Sequence, residues 1–89
     1  MINDILLPGE YVGIKQAVGL IDRKERQLRR WYRDEPRLGR QPVGGGRIEL
    51  SLPALLMYRV GNAEALELYW LGARDHPLVR PFIAAVMEI

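Results

Sequence analysis

DRKERQLRRWYRDEP, residues 22–36, decides how the rest of the chain is read. Asp22 and Glu25 stand at capping-box spacing, in which a side-chain oxygen accepts from one free backbone N–H and the glutamate reaches back to another. Pro36 ends the helix, because it disfavours helical geometry at Glu35 and has no N–H to donate. Between these limits Leu28, Trp31 and Tyr32 fall at i, i+3 and i+4, a narrow apolar stripe. Arg23, Lys24, Arg26, Arg29, Arg30 and Arg33 occupy the other face. An apolar seam behind a row of guanidinium groups suits a helix seated on its own domain and turned towards a polyanion.

Upstream, Ile14, Ala17, Val18 and Ile21 keep i, i+3, i+4, i+7 spacing and predict a helix from Val12, weakened by about 1 kcal/mol at Gly19. Almost no chain separates it from the basic helix, so the two must cross steeply, the helix-turn-helix arrangement. Before it, Ile2, Ile5, Leu6 and Leu7 make a short apolar run, either a helical turn or an arm against the core, and Pro8-Gly9 breaks the chain. Downstream, RLGRQPVGGGRIELS predicts a β-hairpin of residues 38–43 with 47–50, turning at Gly44, Gly45 and Gly46 and carrying Arg40 and Arg47. The glycine run does not read as a phosphate loop, since no strand precedes it, no helix follows directly and no Gly-Lys-Ser/Thr is present. Ser51 then N-caps a helix with Pro53 in its first turn and Gly61 at its end. Asn62 caps the next, which runs to Gly72. A last segment with the stripe Val79, Phe82, Ile83, Val86 and Ile89 becomes regular near Arg80, because Pro81 fits best in a first turn.

At 89 residues and 48% apolar content, the chain predicts one small domain, residues 1–89, read as a core over 12–60 and a helical extension over 61–89. A domain of this size buries only about 60–65% of its unfolded surface, so its core is thin. With no cysteine and one histidine, neither a disulfide nor the usual zinc ligand set can be assembled. The start MINDILLPGE has no basic n-region and too short an apolar run for a signal peptide or a membrane span, which predicts a cytoplasmic protein with no membrane partner. Net charge is +2, yet residues 22–47 hold nine basic against four acidic side chains, while the flanks are slightly acidic. A positive excess confined to one stretch points to an anionic partner at one surface; the plainer reading is a solvated charged face.

Over residues 14–55 the chain resembles the winged helix-turn-helix of the MerR and excisionase type. The resemblance rests on Ala17 in the first helix, Leu28-Arg29-Arg30-Trp31-Tyr32 in the second, Gly45-Gly46-Arg47-Ile48-Glu49-Leu50-Ser51 as the wing return, and Pro53-Ala54-Leu55-Leu56 opening the next helix. It is also similar to the DNA-binding domain of phage terminase small subunits, with a tryptophan in the second helix and a glycine-rich wing. The chain departs from the pattern in two places: Ala17 to Leu28 is one residue longer, and Ile21 stands where the family has its turn glycine. No coiled-coil helix or ligand-binding domain follows the wing, which argues against an effector-sensing regulator. The resemblance implies a mainly α fold, a winged helix-turn-helix with a small β-hairpin wing and two or three additional C-terminal helices.

For the site, Arg23, Lys24, Arg26 and Gln27 occupy the start of the second helix, the part that enters a major groove in helix-turn-helix docking, where arginine forks to guanine and glutamine to adenine. Arg29 and Arg33 are placed for phosphates; Arg30 is too, unless it pairs with Asp34 at i+4. Arg37, Arg40 and Arg47 lie on or beside the wing, near a minor groove or exposed to solvent, and Lys15 reaches backbone phosphate from the first helix. Trp31 and Tyr32 read as core, not as base-stacking groups. His76 reads as a capping or solvent residue before Pro77. Tyr69, Trp70, Phe82, Ile83, Val86 and Ile89 either form a homodimer surface or close the core. The function expected is sequence-specific binding of double-stranded DNA by a small transcriptional regulator. The alternatives are a phage-type excisionase or terminase-small-subunit-like architectural factor, or a module binding an acidic protein surface. No set of acids, bases or ligands suggests an enzyme, a cofactor, a metal or a small-molecule ligand.

Overall fold

The computed structural model describes residues 10–41 and 47–87. Five α-helices and a three-stranded antiparallel sheet make up the described chain. Strand β1 (Tyr11–Gly13) leads into helix α1 (Ile14–Ile21), and a three-residue turn leads into α2 (Glu25–Asp34). A 3-10 turn (Pro36–Leu38) and strand β2 (Gly39–Arg40) follow, then β3 (Glu49–Ser51), α3 (Leu52–Arg59), α4 (Ala63–Trp70) and α5 (Arg80–Met87). Residues 1–9, 42–46 and 88–89, which include the expected N-terminal arm, the glycine turn and Ile89, lie outside the described residues.

The strand at residues 11–13 corrects the expectation of a helix from Val12. Tyr11, Val12 and Gly13 pair with Ser51, Leu50 and Glu49, and the buried Val12 sits opposite the buried Leu50. An aromatic and a β-branched residue beside a partner strand favour extension, and helical geometry starts only at Ile14. The sheet order is β1-β3-β2, and the expected antiparallel pairing is present but shorter than the expected 38–43 with 47–50. Gly39 lies opposite Leu50 and Arg40 opposite Glu49, while Leu38 belongs to the 3-10 turn and Arg47 and Ile48 precede β3. Gly39 is required there by space: a Cβ would collide with the Glu49 carbonyl oxygen and come within 2.9 Å of the Leu50 side chain.

Asp22 also takes a different part from the one expected. It adopts the left-handed conformation, φ 59 and ψ 50, and its N–H donates to the Val18 carbonyl at 3.1 Å, closing α1. Aspartate is among the few residues other than glycine that tolerate this geometry. A residue in that conformation cannot also supply the extended backbone of an N-cap. Lys24 stands at the N-cap of α2 with no side-chain cap bond, and Glu25 turns its carboxylate to Arg29. α2 buries Leu28 and half-buries Trp31 and Tyr32, with the Trp31 ring 5.2 Å from that of Tyr58 on α3.

The later helices begin where the cap residues place them. Ser51 Oγ accepts from Ala54 N at 3.3 Å and Asn62 Oδ1 from Ala65 N at 3.0 Å, and α5 starts at Arg80 with Pro81 in its first turn. Gly61 ends the turn after α3 at φ 74, a conformation that favours glycine. Leu52, Pro53, Ala54, Leu55 and Met57 are all buried, so α3 is covered on nearly every side, by α1, α4, α5 and the 3-10 turn. Arg59 Nη1 donates to the Ile21 carbonyl at 3.2 Å and ties the end of α3 to the end of α1. No described helix is long and apolar enough to cross a membrane.

A buried polar chain joins these parts. The Glu10 side chain is 1% exposed and receives Arg74 Nη1 at 3.0 Å, Arg74 Nη2 at 2.6 Å and the Tyr69 hydroxyl at 2.9 Å. The Tyr69 oxygen lies 2.8 Å from Ser51 Oγ. Because a carboxylate only accepts, Tyr69 spends its proton on Glu10 and Ser51 donates to Tyr69. Burial holds the Tyr69 phenol well above its ordinary range, and the hydrogen bond to Glu10 raises the Arg74 guanidinium in the same way. Arg74→Ala, which leaves the carboxylate buried without its cation, should cost about 3 kcal/mol or more in urea denaturation. Tyr69→Phe should cost about 1–2 kcal/mol.

Candidate nucleic-acid interface

Along α2 each residue turns the chain by about 100°. On that wheel Arg26, Arg29, Arg30 and Arg33 fall within roughly a 100° arc, away from Leu28, Trp31 and Tyr32. All four arginines are exposed. They line a shallow groove with Glu25, Tyr32 and Ile48. A second shallow groove lies between the first turn of α1 and the hairpin, lined by Gly13, Ile14, Lys15, Gln16, Gln41 and Arg47. Arg29 and Ile48 line both. Lys15, Arg26, Arg29, Arg30, Arg33 and Arg47 are therefore brought onto one continuous surface, with Arg29 where its two halves meet.

The arginines differ in how far they are engaged. Arg26, Arg30, Arg47 and Lys15 have no ion-pair partner among the described residues. Arg30 does not pair with Asp34; Arg33 approaches that carboxylate at 3.8 Å, with both groups largely exposed. Arg29 Nε donates to Glu25 at 2.9 Å. Arg40 donates to Glu49 at 2.8 Å across the hairpin and lies over the Tyr11 ring at 4.1 Å, so it serves the sheet first. Burial raises the Tyr11 phenol above its ordinary range, a rise that Arg40 partly offsets. Arg37 is occupied by Glu35, through Nε at 2.9 Å, Nη2 at 3.0 Å and the backbone N–H at 3.2 Å.

The start of α2 is less available than its spacing implied. Arg23 lies 5.9 Å from the centroid of the Trp31 ring and donates to the Asp22 carbonyl at 2.9 Å, on the aromatic side of the helix. Gln27 is half-buried and points away from the arginine arc, while Lys24 is exposed at the N-cap. The arginine face thus runs the length of α2 and is not concentrated in its first turn. Trp31 and Tyr32 pack against the core, as their spacing predicts. His76 is exposed, and its Nδ1 accepts from Leu78 N at 3.1 Å.

Two members of the expected association surface, Tyr69 and Val86, are core residues at 7% and 9% exposure, so they close the fold. Phe82 and Ile83 are half-buried against that core, and Trp70 is exposed. The groove-lining residues not singled out in the sequence include Glu25, which accepts from Arg29, and Ile48, which lines both grooves. The i, i+4 spacing of Glu25 and Arg29 was the signal for the first.

The Arg37 hydrogen bonds hold the Glu35 carboxyl below the usual glutamate range. A carboxyl lowered on folding contributes stability that is present above the ordinary glutamate pKa of about 4.3 and is lost as pH falls through the lower folded value. The stability difference between wild type and Glu35→Gln should therefore stay constant above about pH 5.5 and close in acid. Urea titrations from pH 7 to pH 2.5 measure it.

Comparison with protein-family models, with curated proteins and with solved structures found no match to this chain.

Proposed function

We propose that the protein binds double-stranded DNA in a sequence-specific way and acts by occupancy, as a small regulator of transcription. The observation that carries this reading is the surface on which Lys15, Arg26, Arg29, Arg30, Arg33 and Arg47 converge, whereas Arg23, Arg37, Arg40, Arg59 and Arg74 are tied to carboxylates, carbonyls or rings and Arg80 stands apart on α5. Arg29 is bonded to Glu25 and Arg33 lies 3.8 Å from Asp34, but Lys15, Arg26, Arg30 and Arg47 have no carboxylate partner among the described residues. A face meant only to keep the protein in solution has no need to leave four cations so. On this reading α1 and α2 form a helix-turn-helix, α2 lies in the major groove and the β2–β3 hairpin grips flanking backbone as a wing. Lys15 and Arg47, on the second groove, contact phosphates beside the recognition helix.

Five or six phosphate contacts from this face predict that log K falls against log salt with a slope of about −4.5 to −5.4, from about −0.9 per contact. Fluorescence anisotropy of a labelled duplex from 50 to 300 mM salt measures it. Arg30→Ala should reduce the slope by about one. Arg37→Ala, which removes a side chain already occupied by Glu35, should leave it unchanged. Absence of duplex binding at the lowest salt would remove the reading and move the basic face to an acidic protein partner.

A further inference from the structure

The arginine groove contains one carboxylate, and its placement is informative. Glu25 Oε2 accepts from Arg29 Nε at 2.9 Å, so the pair occupies one edge of the guanidinium. Arg29 Nη1 and Nη2 donate to nothing else among the described residues. Arg26 and Arg30, its neighbours on the face, have no such partner, and Arg33 only approaches Asp34, at 3.8 Å without a hydrogen bond and with Asp34 outside the groove. Arg29 is also the charged residue shared by the two grooves, which have Ile48 in common as well.

A carboxylate beside a phosphate-binding arginine works against it, because it repels the phosphate and offsets the charge. Beside an arginine that must present two parallel N–H donors to a base edge, the same carboxylate helps. It holds a long, freely rotating side chain in one orientation before the ligand arrives. We propose that Arg29 is the sequence-reading residue, donating from Nη1 and Nη2 to O6 and N7 of a guanine in the major groove, with Glu25 as its positioning residue. Arg26, Arg30 and Arg33 then contact phosphates around it. This assignment rests on the DNA-binding reading above.

The test compares affinities for a duplex selected from a random library and for a scrambled duplex of equal length, at fixed salt. It uses the whole chain as wild type, Arg29→Lys, Glu25→Ala and Arg30→Ala. The two side chains are 53% and 40% exposed, so the variants should keep the fold, which circular dichroism melting checks. Arg29→Lys keeps the charge but loses the fork, and should cut the selected-to-scrambled affinity ratio about ten-fold or more, with the salt slope unchanged. Glu25→Ala should lower the same ratio while binding the scrambled duplex as tightly as wild type or more so. Arg30→Ala should weaken both duplexes alike. If Glu25→Ala tightens both equally, the carboxylate is only a charge and the positioning role fails. If Arg29→Lys leaves the ratio intact, or wild type binds both duplexes equally, the base-reading role fails while DNA binding stands. If wild type binds neither duplex at low salt, the DNA-binding reading fails first and this assignment with it.

Discussion

Burying the Glu10 carboxylate obliges the fold to bring donors to it, and they come from distant parts of the chain. The Ala54 N–H donates to Ser51, Ser51 to Tyr69 and Tyr69 to Glu10, while Arg74 closes on the carboxylate from the other side. Every donor in this chain points towards the same charge, so each bond polarises the next. Among the described residues no buried side-chain polar atom is left without a partner. The backbone joins in, since Leu52 N donates to the Glu10 carbonyl at 2.8 Å. The start of β1, the cap of α3, the last turn of α4 and the segment after it are thereby held in one relative placement.

That placement has a consequence at the basic face. Glu10 directly precedes β1, and β1 pairs with β3 and delivers Gly13, Ile14 and Lys15 to the groove that also holds Arg47. Fixing Glu10 therefore sets where the first turn of α1 stands relative to the hairpin. The same economy governs the cations. Arg74 and Arg59 are spent on the interior, one on a buried carboxylate and one on the Ile21 carbonyl, while Arg37 and Arg40 are spent on the junction around the hairpin. Apart from Arg80 on α5, the arginines without a partner among the described residues, Arg26, Arg30 and Arg47, lie along α2 and its neighbouring groove.

Most of the helical framework was legible in the sequence, because it depends on local chemistry. Ser51, Asn62 and Pro81 mark helix starts through backbone donors that need capping or through a fixed φ, and those rules act within a few residues. Leu28, Trp31 and Tyr32 declare the buried side of α2 by spacing alone. Strand β1 was hidden because Ile14 to Ile21 carries a strong helical period, and nothing local says that it stops short of Val12. Its extension depends on Leu50, nearly forty residues away. Asp22 misled for a related reason: aspartate serves both as an N-cap and as a left-handed residue, and the tightness of the turn decides between them. The roles of Glu10, Tyr69 and Arg74 depend on one another across the chain, so no single stretch announces them. In the site, helical spacing revealed the arginine arc, but which arginines stay unpaired follows from tertiary neighbours such as Tyr11 and Glu49.

The C-terminal helices show why a boundary drawn at residue 61 separates things that belong together. α3 is apolar almost all round, and a helix of that kind must be covered on more than one side. α1 and the 3-10 turn cover part of it, and α4 and α5 cover the rest. Val79, Val86, Ala65 and Leu66 lie in the same buried cluster as Leu28 and Ile21. Without them the side of α3 that carries Ser51 and its bond to Tyr69 would lose its cover, and with it the anchor that positions β1. Yet α4 and α5 contribute no residue to either basic groove. Their part in the proposed interface is indirect: they complete the core on which the hairpin and α1 are held, so the arginine face can be rigid without itself supplying the packing.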